Sequence, residues 1–247
     1  MTTLFISDLH LCEERPSISA LFAQFMNDIA PGAKALYILG DLFEHWLGDD
    51  QLDHDPLARD VASRLAKLAA EGTEIFFMHG NRDFVVGPRF ASEAGLTLLA
   101  DPTVITTGDD RFLLLHGDTL CTDDVAYQQF RKQVRNPAWQ AVALAKPYAE
   151  REQIARSIRQ RSDVEKSIKA EAIMDVNADA VSAAFAEHQY PIMIHGHTHR
   201  PAKHELIVDG QTCIRWVLQD WHDFGGYLAM TGAHNTLTAH LLGANTN

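Results

Sequence analysis

The 247-residue sequence has few cysteines, no long apolar run and no excess of basic residues. Its three cysteines, Cys12, Cys121 and Cys213, are widely separated and odd in number, which favours reduced thiols of a cytosolic protein over a disulfide framework. No segment approaches the ~18–20 apolar residues of a membrane-spanning helix. The net charge of −12 argues against general nucleic-acid binding, so we expect no nucleic-acid partner.

Linkers, internal repeats and low-complexity tracts are also missing. With 46% hydrophobic residues and moderate charge, the chain is expected to be globular and to bury a large core in one domain. Met1 leads into an apolar run within a few residues, so we expect no signal peptide. The sequence does not decide the oligomeric state, and a monomer is the default expectation.

What the sequence does contain is five apolar runs, each followed by residues that can bind a metal ion. The runs and their polar residues are Thr3–Ile6 with Asp8 and His10, Leu36–Leu39 with Asp41, Ile75–Met78 with Asn81 and Asp83, Phe112–Leu115 with His116, and Ile192–Ile194 with His197 and His199. Such runs are typical of buried strands, and open α/β sheets place their sites at strand ends. Carboxylate, amide and imidazole ligands together suit Mn, Fe, Zn, Ni or Co.

In this order the five motifs resemble the calcineurin-like metallophosphoesterases, whose pattern is D-x-H, G-D-x-x-[D/E], G-N-[H]-[D/E], H and G-H-x-H. The chain carries the second motif as Gly40-Asp41-Leu42-Phe43-Glu44 and the third as Gly80-Asn81-Arg82-Asp83. The resemblance spans about 200 residues and implies an α/β fold, a four-layer αββα sandwich. It also implies two metal sites that share Asp41. The first would comprise Asp8, His10, Asp41 and His199, and the second Asp41, Asn81, His116 and His197.

Arg82 departs from the family pattern, because many members have histidine after Gly-Asn, where it helps to protonate an alkoxide leaving group. A guanidinium is a poor acid but binds phosphate oxygens in a bidentate manner. The substitution therefore favours a leaving group that needs no proton, such as the phosphate of a phosphoanhydride. The alternative is that Arg82 only anchors a neighbouring acid.

Longer segments resemble one branch of the family, the bacterial diphosphatases that act on UDP-2,3-diacylglucosamine in lipid A synthesis. These segments are Leu4–Leu11, Tyr37–Glu44, His79–Phe84, His116–Asp124, Ala172–Asn177 and Ile194–Pro201. The resemblance implies hydrolysis to UMP and 2,3-diacylglucosamine 1-phosphate (lipid X) by metal-activated water that attacks the uridine-side phosphorus. It implies two Mn²⁺ per chain, catalytic roles for Asp41, Arg82 and His116, and a peripheral location on the cytoplasmic face of the inner membrane.

A basic stretch lies between the fourth and fifth motifs, where Arg131–Lys169 contains ten Lys/Arg and four Asp/Glu, a net charge of +6. Its pattern predicts four helices, at Val125–Val134, Trp139–Ala145, Tyr148–Arg161 and Val164–Asp175. We assign residues 121–175 to a helical insertion, or lid, on a core formed by residues 1–120 and 176–247. The stretch is either a solvated cap or a lid that receives an anionic glycolipid and touches a membrane. The resemblance implies substrate contacts from Asn81, Arg82, Asp124, Ser162, Lys166, Lys169 and His197.

After Pro201 the alternation of apolar and polar residues predicts antiparallel strands at His204–Val208, Cys213–Leu218, Tyr227–Met230 and Thr236–Leu242. Two other functions stay open at this stage. One is a phosphoesterase that acts on another nucleoside diphosphate derivative, and the other is a scaffold of this fold that does not catalyse a reaction. The roles of His79 and His195, which adjoin the motifs, also stay open.

Overall fold

The structure, a computed structural model, describes residues 2–168 and 175–243, and the side chains of residues 2–158 and 175–243. Its first sheet has six strands in the order β11-β10-β1-β2-β3-β4. The strands are β1 (Thr3–Ile6), β2 (Ala35–Leu39), β3 (Glu74–Met78), β4 (Thr97–Leu99), β10 (Gly225–Thr231) and β11 (Thr236–Leu242). β1 to β4 are parallel, so their carboxyl ends meet at one edge, while β10 and β11 extend the sheet in antiparallel pairing.

The second sheet has five strands in the order β5-β6-β7-β9-β8. They are β5 (Thr103–Thr107), β6 (Asp110–Leu114), β7 (Ile192–His195), β8 (Ala202–Val208) and β9 (Gln211–Val217). β6, β7 and β9 are parallel, and β5 and β8 pair antiparallel at the two edges. The fourth and fifth motifs follow β6 and β7, so this sheet supplies His116, His197 and His199.

Eight α-helices connect the strands in the described residues. They are α1 (Pro16–Gln24), α2 (Gln51–His54), α3 (Pro56–Ala70), α4 (Pro88–Ala94), α5 (Val125–Val134), α6 (Pro137–Leu144), α7 (Tyr148–Ile168) and α8 (Ala178–Glu187). α3 shows why such segments are helical. The Asp55 side chain caps it by accepting bonds from the backbone N–H of Leu57 and Ala58, and Pro56 occupies its first turn. Its buried residues recur at helical spacing, at Ala58, Val61, Ala62, Leu65 and Leu68.

Three apolar clusters define the layers. Leu4 and Ile6 of β1 pack with Phe22 of α1 and Leu65 of α3 on the outer face of the first sheet. Phe5, Tyr37, Phe112 and Ile194 belong to the cluster between the sheets. Leu113 and Met193 pack against Val181 and Phe185 of α8 on the outer face of the second sheet. The α/β fold with two sheets flanked by helices, which the sequence predicts, is therefore confirmed.

The insertion differs from the sequence prediction in one respect. Two helices were expected at Tyr148–Arg161 and Val164–Asp175, but α7 is a single helix from Tyr148 to Ile168. The physical reason is that residues 161–164, Arg-Ser-Asp-Val, contain no proline or glycine to interrupt the helical hydrogen bonds. The last residues of the expected fourth helix, 169–174, lie outside the described residues.

The nine strand predictions match β1, β2, β3, β6, β7, β8, β9, β10 and β11. All three cysteines are buried free thiols, as expected. No helix in the described part of the chain is long and apolar enough to cross a membrane.

Candidate metal centre

The proposed ligands lie on the loops that follow β1, β2, β3, β6 and β7, and their backbone is unusual. Five of the seven ligand residues have left-handed φ angles, between 49° and 66°: Asp8, His10, Asp41, His197 and His199. Non-glycine residues rarely adopt this conformation, which costs of order 1–3 kcal/mol each and concentrates at functional sites. The tight loops thus turn side chains from both sheets toward one point.

The first group consists of Asp8, His10 and His199, whose candidate ligand atoms lie within 4.8 Å of one another. The Nε2 atoms of His10 and His199 are 3.4 Å apart, and Nε2 of His199 is 3.5 Å from Oδ1 of Asp8. The other oxygen of Asp8, Oδ2, accepts bonds from the Ser7 hydroxyl at 2.6 Å and the His197 N–H at 2.9 Å. One carboxylate oxygen is therefore held by the protein, and the other faces the two imidazoles.

The second group contains Asn81, His116 and His197. Oδ1 of Asn81 lies 3.0 Å from Nε2 of His116 and 2.9 Å from Nδ1 of His197. Nδ1 of His116 lies 2.9 Å from the carbonyl oxygen of Leu39, to which it donates when protonated. This contact places the other ring nitrogen of His116, Nε2, toward Asn81 and the shared space.

Asp41 lies between the two groups. Its Oδ2 is 3.6 Å from Nε2 of His10 and 3.8 Å from Nε2 of His116, while its Oδ1 accepts a bond of 2.8 Å from the Arg82 N–H. The carboxylate is 2% exposed. A single oxygen therefore faces ligands of both proposed sites, as expected of a bridging carboxylate.

The donors fit a pair of divalent cations. Oδ1 of Asp8 is buried without a hydrogen-bond partner, although burying an unpaired carboxylate oxygen is costly. Burial opposes ionisation of Asp8, but the hydrogen bond and charge of His199 outweigh it and hold the pKa of this carboxyl well below its usual range. The set of carboxylates, imidazoles and one amide oxygen suits borderline divalent ions.

The histidines of the second group have opposite pKa shifts. Burial opposes protonation of His116, but Asp41, Asp118 and Asp8 outweigh it and raise its pKa to about 9. Burial and the charge of His116 lower the pKa of His197 to about 4. A cation bound here would therefore displace a proton from His116, whereas His197 is already neutral near pH 7.

Asp83, the last residue of the third motif, holds the loops together. Its buried carboxylate accepts backbone N–H bonds from Gly80 at 2.9 Å and Leu42 at 2.7 Å, and longer ones of 3.3 Å from Asp41 and Phe43. Burial and the nearby Asp41 raise its pKa to about 6. The loops after β2 and β3 are thus joined through one side chain.

Arg82 points into the same region, and its side chain is 14% exposed. Its Nη1 is 3.9 Å from Oε1 of Glu44, and its Nε is buried without a partner among the described residues. Glu44 also lies 3.1 Å from Nδ1 of His10, through its Oε2. One carboxylate therefore lies next to both a proposed metal ligand and the proposed phosphate-binding guanidinium.

The remaining expected substrate contacts are only partly described. Asp124 caps α5 by accepting a bond of 3.0 Å from the Tyr127 N–H. Ser162 and Lys166 belong to α7, but their side chains lie outside the described residues, as does the whole of Lys169.

The two undecided histidines have hydrogen-bond partners within the protein. His195 is fully buried, its Nε2 lies 2.9 Å from Nη1 of Arg215, and its Nδ1 lies 2.8 Å from the Gly196 oxygen. Burial and Arg215 lower its pKa to about 3. Nε2 of His79 lies 2.6 Å from the carbonyl oxygen of Val86. Both rings thus support the loops that carry the ligands.

Sequence reasoning missed a buried network beside the second group, formed by Asp118, Tyr127 and Arg131. The Tyr127 hydroxyl and Nε of Arg131 donate to Oδ2 of Asp118 at 2.5 and 2.7 Å. Asp118 belongs to the fourth motif, His116-Gly117-Asp118, which was the available signal. Its partners on α5, Tyr127 and Arg131, could not be found from the sequence, because only the folded chain brings this helix next to the end of β6.

Comparison with known proteins agrees with this geometry. The sequence profile of calcineurin-like phosphoesterases matches residues 1–201. A protein from Aromatoleum aromaticum named UDP-2,3-diacylglucosamine hydrolase is 54% identical over 233 residues, which are 94% of each chain. Proteins of the same name from Escherichia coli O81 and Shigella dysenteriae serotype 1 are each 50% identical over 231 residues, 94% of this chain and 95% of theirs.

Proposed function

The chain belongs to the calcineurin-like phosphoesterase family, and from this membership we propose that it hydrolyses the pyrophosphate bond of UDP-2,3-diacylglucosamine. The products would be UMP and 2,3-diacylglucosamine 1-phosphate, an intermediate of lipid A synthesis. The observation that carries the proposal is 50–54% identity, over at least 94% of both chains, to proteins named for this hydrolysis. The chain's cluster of carboxylates, imidazoles and an amide supports it, because every ligand type of such a site is present.

We further propose two Mn²⁺ ions per chain. Asp8, His10, Asp41 and His199 would hold one, and Asp41, Asn81, His116 and His197 the other. Two such ions lower the pKa of water and neutralise charge on phosphoryl oxygens. The chain's own contribution is to present one oxygen of Asp41 to both positions while the Arg82 N–H restrains the other. Neutral ligands, Asn81 and the imidazoles, limit the negative charge that would repel a diphosphate.

Arg82 would bind the substrate diphosphate. The guanidinium is largely shielded from water and lies near only one described carboxylate, Glu44, at 3.9 Å. It retains donors for phosphoryl oxygens, and a partly desolvated Arg–phosphate pair is strong. The departing sugar phosphate is a stable anion that needs no proton. Arginine, a poor acid, can therefore occupy the position where other family members use histidine.

The insertion would form a lid over the glycolipid, with Asp124, Ser162, Lys166 and Lys169 as further substrate contacts. We propose that the protein works at the cytoplasmic face of the inner membrane, where a diacylated substrate resides. Val142 and Leu144 of α6 support this proposal, because they are 68% and 40% exposed. Exposed apolar residues on a surface helix favour binding to a lipid surface.

Mass analysis after incubation with UDP-2,3-diacylglucosamine and Mn²⁺ tests the proposal. UMP and the diacylated sugar phosphate are the expected products, and chelator should abolish their formation. In oxygen-18 water the label should enter UMP, because water attacks the uridine-side phosphorus. Label in the lipid phosphate would reverse the assigned direction of attack. Equal turnover of a non-acylated UDP-sugar would favour the alternative of a soluble nucleoside diphosphate derivative.

A further inference from the structure

The first helix of the insertion contacts the metal centre directly. Three side chains of α5, those of Tyr127, Gln128 and Arg131, bind Asp118, which lies two residues after the proposed ligand His116. The Tyr127 hydroxyl and Nε of Arg131 donate to Oδ2 of Asp118, and Nε2 of Gln128 donates to its backbone oxygen at 2.7 Å. Asp118 is completely buried. A second carboxylate, Asp101, accepts a hydrogen bond of 3.0 Å from Nη2 of Arg131, so two carboxylates restrain this guanidinium.

The ring of Tyr127 also packs against the proposed ligand His197. The ring centroids are 5.9 Å apart and the planes are inclined by 29°, a stacked arrangement. On its other side, Nδ1 of His197 faces Oδ1 of Asn81 at 2.9 Å. The imidazole is thus held between a fellow ligand and an aromatic ring that is itself fixed by Asp118.

This support differs from that of the other three ligand histidines. The nitrogen that faces away from the cluster is hydrogen-bonded to the Leu39 oxygen at 2.9 Å in His116. In His10 and His199 it lies near a carboxylate, 3.1 Å from Glu44 and 3.6 Å from Asp220 respectively. Such polar partners ordinarily set the orientation of a metal-bound imidazole. Among the described side chains, those of residues 2–158 and 175–243, none forms a hydrogen bond with Nε2 of His197, and the Tyr127 ring is its aromatic neighbour besides His116.

We propose that Tyr127 is a positioning residue for the second metal ion. Its ring restrains the imidazole of His197, and Asp118 and Arg131 hold the ring in place. The inference rests on the proposed ligand set, in which His197 binds the second ion. α5 thereby has a role in the metal centre, distinct from covering the substrate.

Titration of the metal-stripped full chain with Mn²⁺ tests this role, with calorimetry for affinity and electron paramagnetic resonance for the coupling of two adjacent ions. Tyr127→Leu removes the ring, and Tyr127→Phe keeps the ring but loses the bond to Asp118. Gln129→Ala, an exposed change on the same helix, is the control. We expect Tyr127→Leu to weaken the second equivalent by about 10-fold or more while the first is unchanged. The resonance signal of two coupled ions, measured at two equivalents of Mn²⁺, should fall accordingly. Tyr127→Phe should lose less affinity for the second equivalent than Tyr127→Leu, and Gln129→Ala should bind both equivalents as the parent does.

Two results would overturn the inference. Parental affinity of Tyr127→Leu for both equivalents would show that the ring does not position His197. An equal loss of both equivalents, together with a lower melting temperature, would show that the ring only stabilises the fold. If the parent chain binds no Mn²⁺, the proposed metal site itself is wrong. This outcome is seen in the parent alone and is therefore distinguishable from a failure of the inference about Tyr127.

Discussion

Individual residues of the centre are held in conformations that most side chains avoid. Asp8, His10, Asp41, His197 and His199 all have left-handed backbone, which only the surrounding contacts can maintain. Those contacts are visible for the carboxylates, because Ser7 and a backbone N–H restrain Asp8 and the Arg82 N–H restrains Asp41. These contacts hold the two carboxylates of the proposed ligand set in place.

Asp41 is the residue whose change should matter most. Asp41→Asn replaces the oxygen that faces His10 and His116 either by a neutral oxygen or by an NH₂ group that cannot bind a cation. We expect Mn²⁺ affinity and turnover each to fall by more than about 100-fold. This is more than the loss of about 10- to 100-fold that follows when a residue behind a metal ligand is changed, because Asp41 would itself bind both ions. Calorimetric titration and steady-state kinetics measure the two effects. Parental activity in the variant, or full activity of the parent after chelation, would contradict the assignment.

Gly196 is required because the loop after β1, with Ser7 and Asp8, approaches it closely. A Cβ atom there would lie 2.1 Å from Oδ2 of Asp8 and 2.2 Å from Oγ of Ser7. Gly196→Ala should therefore lower the free energy of unfolding by about 3 kcal/mol and displace Asp8 from the first metal position. Gly232→Ala is the control, since its Cβ would meet nothing within 4 Å and only its positive φ carries a cost, about 1–2 kcal/mol. Urea denaturation compares the two variants, and equal losses would argue against the close approach.

Among the elements, α7 is anchored to the core by one arginine. Arg151 is 8% exposed, and its guanidinium binds the carboxylate of Asp50 and the carbonyl oxygen of Leu47. Its Nε donates to the Lys146 oxygen at 3.0 Å, which also closes the turn between α6 and α7. The insertion thus contacts the core at the α2 end as well as through α5.

Arg151→Ala should remove this anchor and lower the free energy of unfolding by about 2 kcal/mol, because it breaks charge-assisted hydrogen bonds of a buried side chain. Asp50 is 41% exposed, which limits the cost of leaving it unpaired. Arg156→Ala is the matched control on the same helix. Arg156 is 74% exposed and pairs with Glu152, so its loss should cost less than about 0.5 kcal/mol. Similar urea midpoints for the two variants would refute the anchor.

The sequence predicts the elements that carry ligands better than it predicts what supports them. The strand ends could be predicted because apolar runs such as Thr3–Ile6 are followed at once by polar residues, the proposed ligands. The contacts of Asp83 with two loops and of Tyr127 with His197 depend on pairings between distant segments, for which a single sequence carries no signal. The break expected within α7 was wrong because residues 161–164, Arg-Ser-Asp-Val, include no proline or glycine and remain compatible with a helix.

At the scale of the whole molecule, the basic charge of the insertion is partly internal. Arg131 pairs with Asp118 and Asp101, Arg151 with Asp50, and Arg135 donates to the carbonyl oxygens of His79 and Gly80. Lys146 and Arg156 pair with glutamates one turn away. The glutamates of the last two pairs are already counted in the net charge of +6, so only Arg131, Arg135 and Arg151 reduce the charge that is left for an anionic substrate. These three arginines attach the insertion to an otherwise acidic protein.

Because part of this charge is used internally, the exposed apolar residues of α6 become the better basis for membrane contact. The double variant Val142→Glu/Leu144→Glu should reduce co-sedimentation with vesicles of phosphatidylethanolamine and phosphatidylglycerol severalfold, because carboxylates are excluded from the acyl boundary and repelled by anionic lipid. Turnover of a small soluble phosphodiester should not change, since neither residue is a proposed ligand or substrate contact. Ile207→Glu on β8, 71% exposed in the parent, is the control for adding charge at an equally exposed apolar position. If the α6 double variant and the β8 variant bind vesicles equally well, α6 is not the membrane-facing surface, and the diacylated substrate must reach the site by another face of the protein.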